Sequence, residues 1–209
     1  MARPRQFDEQ TVLAAVRDQF WATGYAATSL DDLLRVTGLG KGSLYAAFGD
    51  KHRLYMRVLG DYVEATHGAL RAMLAGSPRA IDGLRRYLTA PAEDPSGAGA
   101  RRGCFLANST SEMAAADADV LAASGGAFEE RTGILAEAVA RAQREGDFPA
   151  GADPREAARV IVAAQQGIVF MGRTGVDVDT LRATAEVLAD RILPGVDPSP
   201  GAGARRRRA

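Results

Sequence analysis

Residues 28–51 read TSLDDLLRVTGLGKGSLYAAFGDK, and the fold turns on this segment. Thr28 and Ser29 are both helix-capping residues, and each has an aspartate three positions on, Asp31 and Asp32, a variant of the capping-box pattern. Leu30, Leu33 and Leu34 form the apolar stripe of the helix that starts there. Gly38-Leu39-Gly40 interrupts it, and a second short helix follows from about Lys41 to Phe48. A helix of about eight residues is roughly 12 Å long, and the major groove of B-DNA is about 12 Å wide. Two short helices joined by a glycine turn therefore have the geometry that reads duplex DNA. Leu33, Leu39, Leu44 and Phe48 fall where they can share a core, which leaves Lys41, Ser43, Tyr45, Ala46 and Ala47 facing outward.

Working outward, Gln10 to Thr23 places Leu13, Val16 and Phe20 on one helical face and closes at Gly24. Beyond Gly49-Asp50 a longer helix runs from Lys51 to about Ala75. Its first turn carries Lys51, His52 and Arg53, where the helix macrodipole penalises positive charge by about 0.3–1 kcal/mol per charge. A bound DNA phosphate would remove that conflict. Ile81, Leu84 and Leu88 predict a fifth helix, whereas residues 90–103, rich in Pro, Gly and Ala, predict a flexible loop. Further helices are expected at Cys104 to about Ala116, Ala118 to Glu145, Pro154 to about Gly172 with Asp153 as its cap, and about Asp179 to Leu193. The tail from 195 to 209 lacks apolar content, ends in the run Arg205 to Arg208, and reads as a disordered basic segment. The fold class is all-α, with residues 1–57 as a helix-turn-helix domain whose fourth helix continues to about 75, and 58–194 as a second helical domain.

Composition narrows the function. Among 209 residues, 26 Lys+Arg balance 26 Asp+Glu, but both ends are basic and the middle is acidic, the asymmetry expected when an end domain meets a polyanion. The sequence contains no apolar run of about 18 residues, so a membrane span is not expected, nor is a secretory leader. A lone Cys104 excludes a disulfide framework within the chain and multi-thiolate metal sites, and it fits a reducing cytoplasm. No cofactor or metal site is implied. The two histidines, His52 and His67, stand fifteen residues apart, with no zinc-protease, serine-hydrolase or phosphate-cradling motif, and His67 reads as a surface or edge residue of the fourth helix. An enzyme is not expected.

The segments FWATGYAATSLDDL and TGLGKGSLYAAFGDK, with the following Arg53-Leu54-Tyr55, resemble the TetR (tetracycline-repressor) family. The resemblance is specific over residues 10–57 and architectural over 58–193. It implies a three-helix DNA-binding domain, a helical ligand-sensing domain, and a homodimer that binds a near-palindromic operator on double-stranded DNA. Carried over by position, Thr28, Ser43, Tyr45 and Lys51 would meet the phosphate backbone, and Arg3 and Arg5 would form a basic N-terminal arm. Gly40 departs from the usual Ser or Thr cap of the recognition helix, and Leu34 replaces a residue that is often small. Ala46 and Ala47 stand where larger polar residues often reach the bases, so readout falls mainly to Lys41, Ser43 and DNA shape.

In the second domain, polar residues on apolar helices mark a candidate small-molecule pocket: Asn108, Ser109, Glu112, Gln165 and Gln166. Phe105, Met113, Phe128, Phe170 and Met171 are candidates to line it. The resemblance makes helices 154–172 and 179–193 the dimer interface, with Ile161, Gly167, Ile168, Leu181, Ala185 and Leu188 as seam residues. The expected function is a one-component transcriptional regulator, a repressor released by an unknown small-molecule effector. One alternative trigger is oxidation or alkylation of Cys104, which follows Arg101-Arg102-Gly103 at a helix start. An alternative of a different class is a helical adaptor without operator binding.

Overall fold

The computed structural model describes residues 7–93 and 98–193, and every regular element among them is helical. Arg3, Arg5 and the C-terminal arginine run lie outside the described residues. The first helix, α1, spans Glu9–Thr23 and starts on Asp8, whose carboxylate accepts from the Gln10 amide. Gly24 ends it at φ +83°, a left-handed conformation that only glycine adopts cheaply. In α2 (Leu30–Thr37) the capping box forms on Ser29: its hydroxyl accepts from the Asp32 amide at 3.1 Å while the Asp32 carboxylate accepts from the Ser29 amide at 3.0 Å. These Ser29 bonds hold the Asp32 carboxyl at about 2, well below the usual carboxylate range. Gly38 closes α2, and α3 (Lys41–Phe48) begins at Gly40 with no side-chain cap. Asp50 caps the long helix α4 (Lys51–Gly76) by accepting from the Arg53 amide at 2.8 Å.

The second half holds α5 (Ala80–Thr89), α6 (Ala98–Arg102), α7 (Phe105–Met113), α8 (Ala118–Glu145), α9 (Pro154–Arg173) and α10 (Val178–Ile192). The expected loop at 90–103 is therefore corrected over its described part. Ala90–Ala92 forms a 3-10 turn, and the alanine-arginine stretch after the Pro/Gly-rich part is long enough for a turn and a half of helix. His67 is also corrected: it is 1% exposed, turned from α4 toward α8 with Nδ1 3.2 Å from Glu130 Oε2.

Two cores organise the molecule. One joins the end of α4 to α5, α8, α9 and α10 around Leu84, Leu88, Leu135, Val139 and Ile161. The other is centred on Val16, Phe20, Leu33, Leu44, Leu54 and Tyr55, but it also takes Phe105, Leu106 and Met113 of α7 and Val120 of α8. The first four helices thus share a core with α7 and α8 instead of closing one of their own, so a displacement of α7 has to be absorbed by the helices around α1.

Candidate nucleic-acid interface and effector cavity

Leu44 is the buried anchor of α3, and everything else about this helix follows from that placement. Lys41, Gly42, Ser43, Tyr45 and Ala46 face solvent, with Tyr45 39% exposed, while Ala47 and Phe48 are half-buried. The Lys41 ammonium lies 5.9 Å from the centre of the Tyr45 ring. A flat, small-residue face with a cation and a phenol is thereby presented by a helix two turns long, the right size for a major groove.

Lys51 sits at the base of that face. Its ammonium donates to the Tyr25 carbonyl at 2.6 Å and lies 4.3 Å from the centre of the Tyr25 ring, leaving two N–H donors for an external acceptor. Thr28 is not available in the same way. It is 1% exposed, its hydroxyl donates to the Gly24 carbonyl at 2.6 Å, and it shares a hydrogen bond of 2.7 Å with the Thr23 hydroxyl. The expected Thr28 phosphate contact is corrected on this ground: the side chain ties the turn after α1, and the exposed capping residue beside it is Ser29.

The pocket candidates divide. Gln165 and Gln166 of α9 line a cavity of about 300 Å³, walled also by α4 (Tyr62, Thr66, Leu70), Tyr87 of α5, Pro91, and the segment from Gly99 to Cys104. Arg131 of α8, which the sequence reading passed over, lines it too; a single arginine on a helix rich in charges gave no signal of burial. The other candidates, Phe128 apart, are corrected. Phe105, Ser109 and Met113 are buried in the core around α1, where the Tyr55 hydroxyl donates to Ser109 Oγ at 2.6 Å. Phe170 is 70% exposed on the outer side of α9, whereas Phe128 is not displaced in this way: half-buried between both cores, its ring lies 5.6 Å from the guanidinium of the cavity's Arg131. Asn108 is a strut whose amide donates to the Arg102 carbonyl at 3.1 Å and whose oxygen accepts from Arg173. Met171 packs in a small cluster with Leu181 and Ala185.

Glu112 has a different task again: its carboxylate accepts from the Tyr25 amide at 3.0 Å and the Ala26 amide at 2.8 Å, in the turn after α1. A Cβ on Gly24 would stand 2.8 Å from Glu112 Oε2, so glycine is needed there for space as well as for φ. Two more ties run between the halves. His52 Nε2 lies 2.8 Å from Asp117 Oδ2, where the backbone bond from Val120 and the contact with His52 hold the Asp117 carboxyl below its ordinary range. Arg102 pairs with Asp18 at 3.0 Å and stacks 4.1 Å from the centre of the Trp21 ring, whose Nε1 donates to the Arg102 carbonyl at 3.0 Å. The 99–104 segment therefore contacts the cavity on one side and α1 on the other.

Cys104 is the backbone cap of α7, not its first helical residue; it is buried, lines the cavity, and accepts a 3.6 Å hydrogen bond from the Tyr62 hydroxyl. The expected seam residues are corrected as well. Ile161, Ile168, Leu181 and Ala185 face inward, Leu188 is half-buried, and only Gly167 is open. The outward stripe of α9 is Val160, Ala163, Gly167 and Phe170, spaced three and four apart, with Val187 of α10 exposed as well. These helices are apolar on two sides, and periodicity alone does not say which side meets the chain's own core.

A short helix-turn-helix carried on a larger helical unit defines a class of DNA-binding regulators. Comparison with known proteins places the chain within that class. The model for bacterial regulatory proteins of the tetR family matches residues 12–58, and the one for the tetracyclin repressor-like C-terminal domain matches 80–188. The chain belongs to the TetR family, whose members are transcriptional regulators and not enzymes. It is 29% identical over 186 residues to the HTH-type transcriptional repressor ComR of Escherichia coli K12, covering 88% of each chain. It is 26% identical over 175 residues to the transcriptional regulator AcuR of Cereibacter sphaeroides, covering 83% of this chain and 80% of that one. Among solved structures, a cysteine mutant of the TetR-family regulator CifR, complexed with 26 bp double-strand operator DNA, superposes with a TM-score of 0.81 at 28% identity, covering 92% of this chain and all of the other. Among the described residues no helix is long and apolar enough to cross a membrane.

Proposed function

We propose that the chain is a cytoplasmic repressor that binds a pseudo-palindromic operator as a homodimer and leaves it when a small effector enters the cavity between α4, α8 and α9. Residues 1–57 form the reading head, with α4 continuing onward from it, residues 58–194 sense and dimerise, and 195–209 form a basic tail. The observation that carries this reading is the α3 face: with Leu44 buried beneath it, Lys41, Ser43, Tyr45 and Ala46 are all free to meet a groove. Lys41, Ser43, Ala46 and Ala47 are the base-edge candidates, and Tyr45 and Lys51 are the phosphate contacts. Arg3 and Arg5 supply a basic arm. The second copy seats on the exposed stripe Val160, Gly167, Phe170 and Val187, which in a lone chain would leave large apolar side chains in water. A noncovalent effector is the primary reading; Cys104, which lines the same cavity, is the alternative point of attack for an electrophile that enters it.

Selection of bound duplexes from a random library tests the reading. The expected product is a palindrome with half-sites about 34–36 Å apart, or a near multiple. Lys51→Ala should weaken binding to all sequences alike and lower the salt slope by about one, whereas Lys41→Ala should alter the preferred sequence. A library that yields no enriched duplex at low salt would leave the adaptor as the better description.

A further inference from the structure

Arg131 is 6% exposed and lines the cavity, yet among the described residues it takes part in no ion pair. Its guanidinium lies 5.6 Å from the Phe128 ring, and its charge is felt by the Tyr87 phenol. Neither partner balances its charge. Burial pushes the Tyr87 phenol up to about 12 and raises Tyr62 as well, so both stay neutral near pH 7. Glu130, next in sequence, is committed elsewhere, accepting from Arg71 at 2.6 Å and facing His67. A permanently charged side chain taken out of water without a counter-charge is strongly unfavourable, and the usual remedy of deprotonation is closed to arginine. The His67 proton feels the consequence: burial first, then the Arg131 charge, lowers its affinity.

The surroundings specify what would complete the site. Tyr62 and Tyr87 bring hydroxyls to the same cavity, where they now donate to poor or distant acceptors, Cys104 Sγ at 3.6 Å and Gln165 Oε1 at 3.4 Å. Leu70, Val169 and Pro91 supply apolar wall. A planar guanidinium fork matches a carboxylate in bidentate fashion, and a space of about 300 Å³ suits a small molecule.

We propose that the effector is a small organic carboxylate, whose carboxyl group pairs with Arg131 and accepts hydrogen bonds from Tyr62 or Tyr87 while its hydrocarbon part lies against Leu70 and Val169. This rests on the effector-cavity reading above and deepens it. The segment from Gly99 to Cys104 carries occupancy outward, because Gly99, Ala100, Gly103 and Cys104 line the cavity while Arg102 between them holds α1 through Asp18 and Trp21.

The test uses the full chain and a panel of sodium acetate, butyrate, hexanoate and benzoate, each paired with its neutral amide at matched ionic strength. Calorimetry and thermal melts report binding. At least one acid of the panel is expected to bind and raise Tm, with its amide at least tenfold weaker. Arg131→Met should abolish that preference and melt no lower than wild type without ligand, because the uncompensated charge is gone. Arg131→Lys, which keeps the charge and loses the fork, should bind the acid at least tenfold more weakly than wild type and still prefer it to the amide. Equal binding of acid and amide overturns the carboxylate assignment and leaves the effector cavity standing. Binding of neither overturns both. Acid binding that persists in Arg131→Met overturns the role of Arg131 alone.

Discussion

The reading head and the cavity are built from sequence in opposite ways. The α3 face and its supports come from one window, residues 28–51, in which capping, turn and stripe signals agree. The cavity draws its walls from residues between Tyr62 and Val169, contributed by five helices and the turns between them. A site of the first kind is local and legible; one of the second kind exists only after packing. The two are joined by Glu112, Arg102 and His52, a small set of polar ties on an otherwise apolar shared core.

The largest test of this division lies away from both sites. Phe170→Glu on the outer stripe of α9 should separate the dimer without touching either core, and operator affinity should fall by about 100-fold or more through lost bivalency. Light scattering and a binding isotherm on the same sample check it; a stable dimer in this variant would move the interface elsewhere. Next is the tie at Glu112. Removing the acceptor in Glu112→Ala leaves two amide donors to water at an exposed site, so a loss of about 1.5 kcal/mol is expected, the low end for charged hydrogen bonds. Effector-driven release should weaken with it, and thermal melts with and without the operator separate the two effects.

A smaller effect is confined to the reading head. Ser29→Ala removes the α2 cap and should cost about 1 kcal/mol in denaturant unfolding. Thr28→Val, by contrast, should act on the turn after α1 and leave the salt slope of DNA binding unchanged, since its hydroxyl is already spent on Gly24. The smallest effect is in pH. His67 has a folded proton affinity below its ordinary 6.5, because burial and Arg131 outweigh Glu130 and oppose protonation. The unfolded chain therefore binds more protons below about pH 6.5, and stability should decline as pH falls from there. In His67→Leu that part of the profile should flatten, as denaturant midpoints between pH 7 and 5 would report.

Two boundaries are legible because the residue there sets them: Asp153 and Pro154 start α9, and Gly24 ends α1 at positive φ. Others are not. The choice between Thr28 and Ser29 as cap was open, since both carry the right hydroxyl and only the packing of α1 against α2 buries one of them. Asn108, Ser109 and Glu112 looked like pocket polar groups for a sound reason, being polar on an apolar helix, but their partners proved to be Arg102 and Arg173, Tyr55, and the turn after α1.

The sequence by itself determined the class of the protein: helical periodicity, two capped short helices and a glycine turn are local signals, each satisfied within a few residues of chain. The tertiary structure decided which apolar face of α9 is core and which is open, that His67 and Arg131 are buried, and that a cavity meets the arginine. Those outcomes depend on contacts between residues 60 or more positions apart, such as His67 with Glu130 and Tyr87 with Gln165. A charge pattern read along the chain cannot distinguish an arginine that reaches water from one that a neighbouring helix has covered.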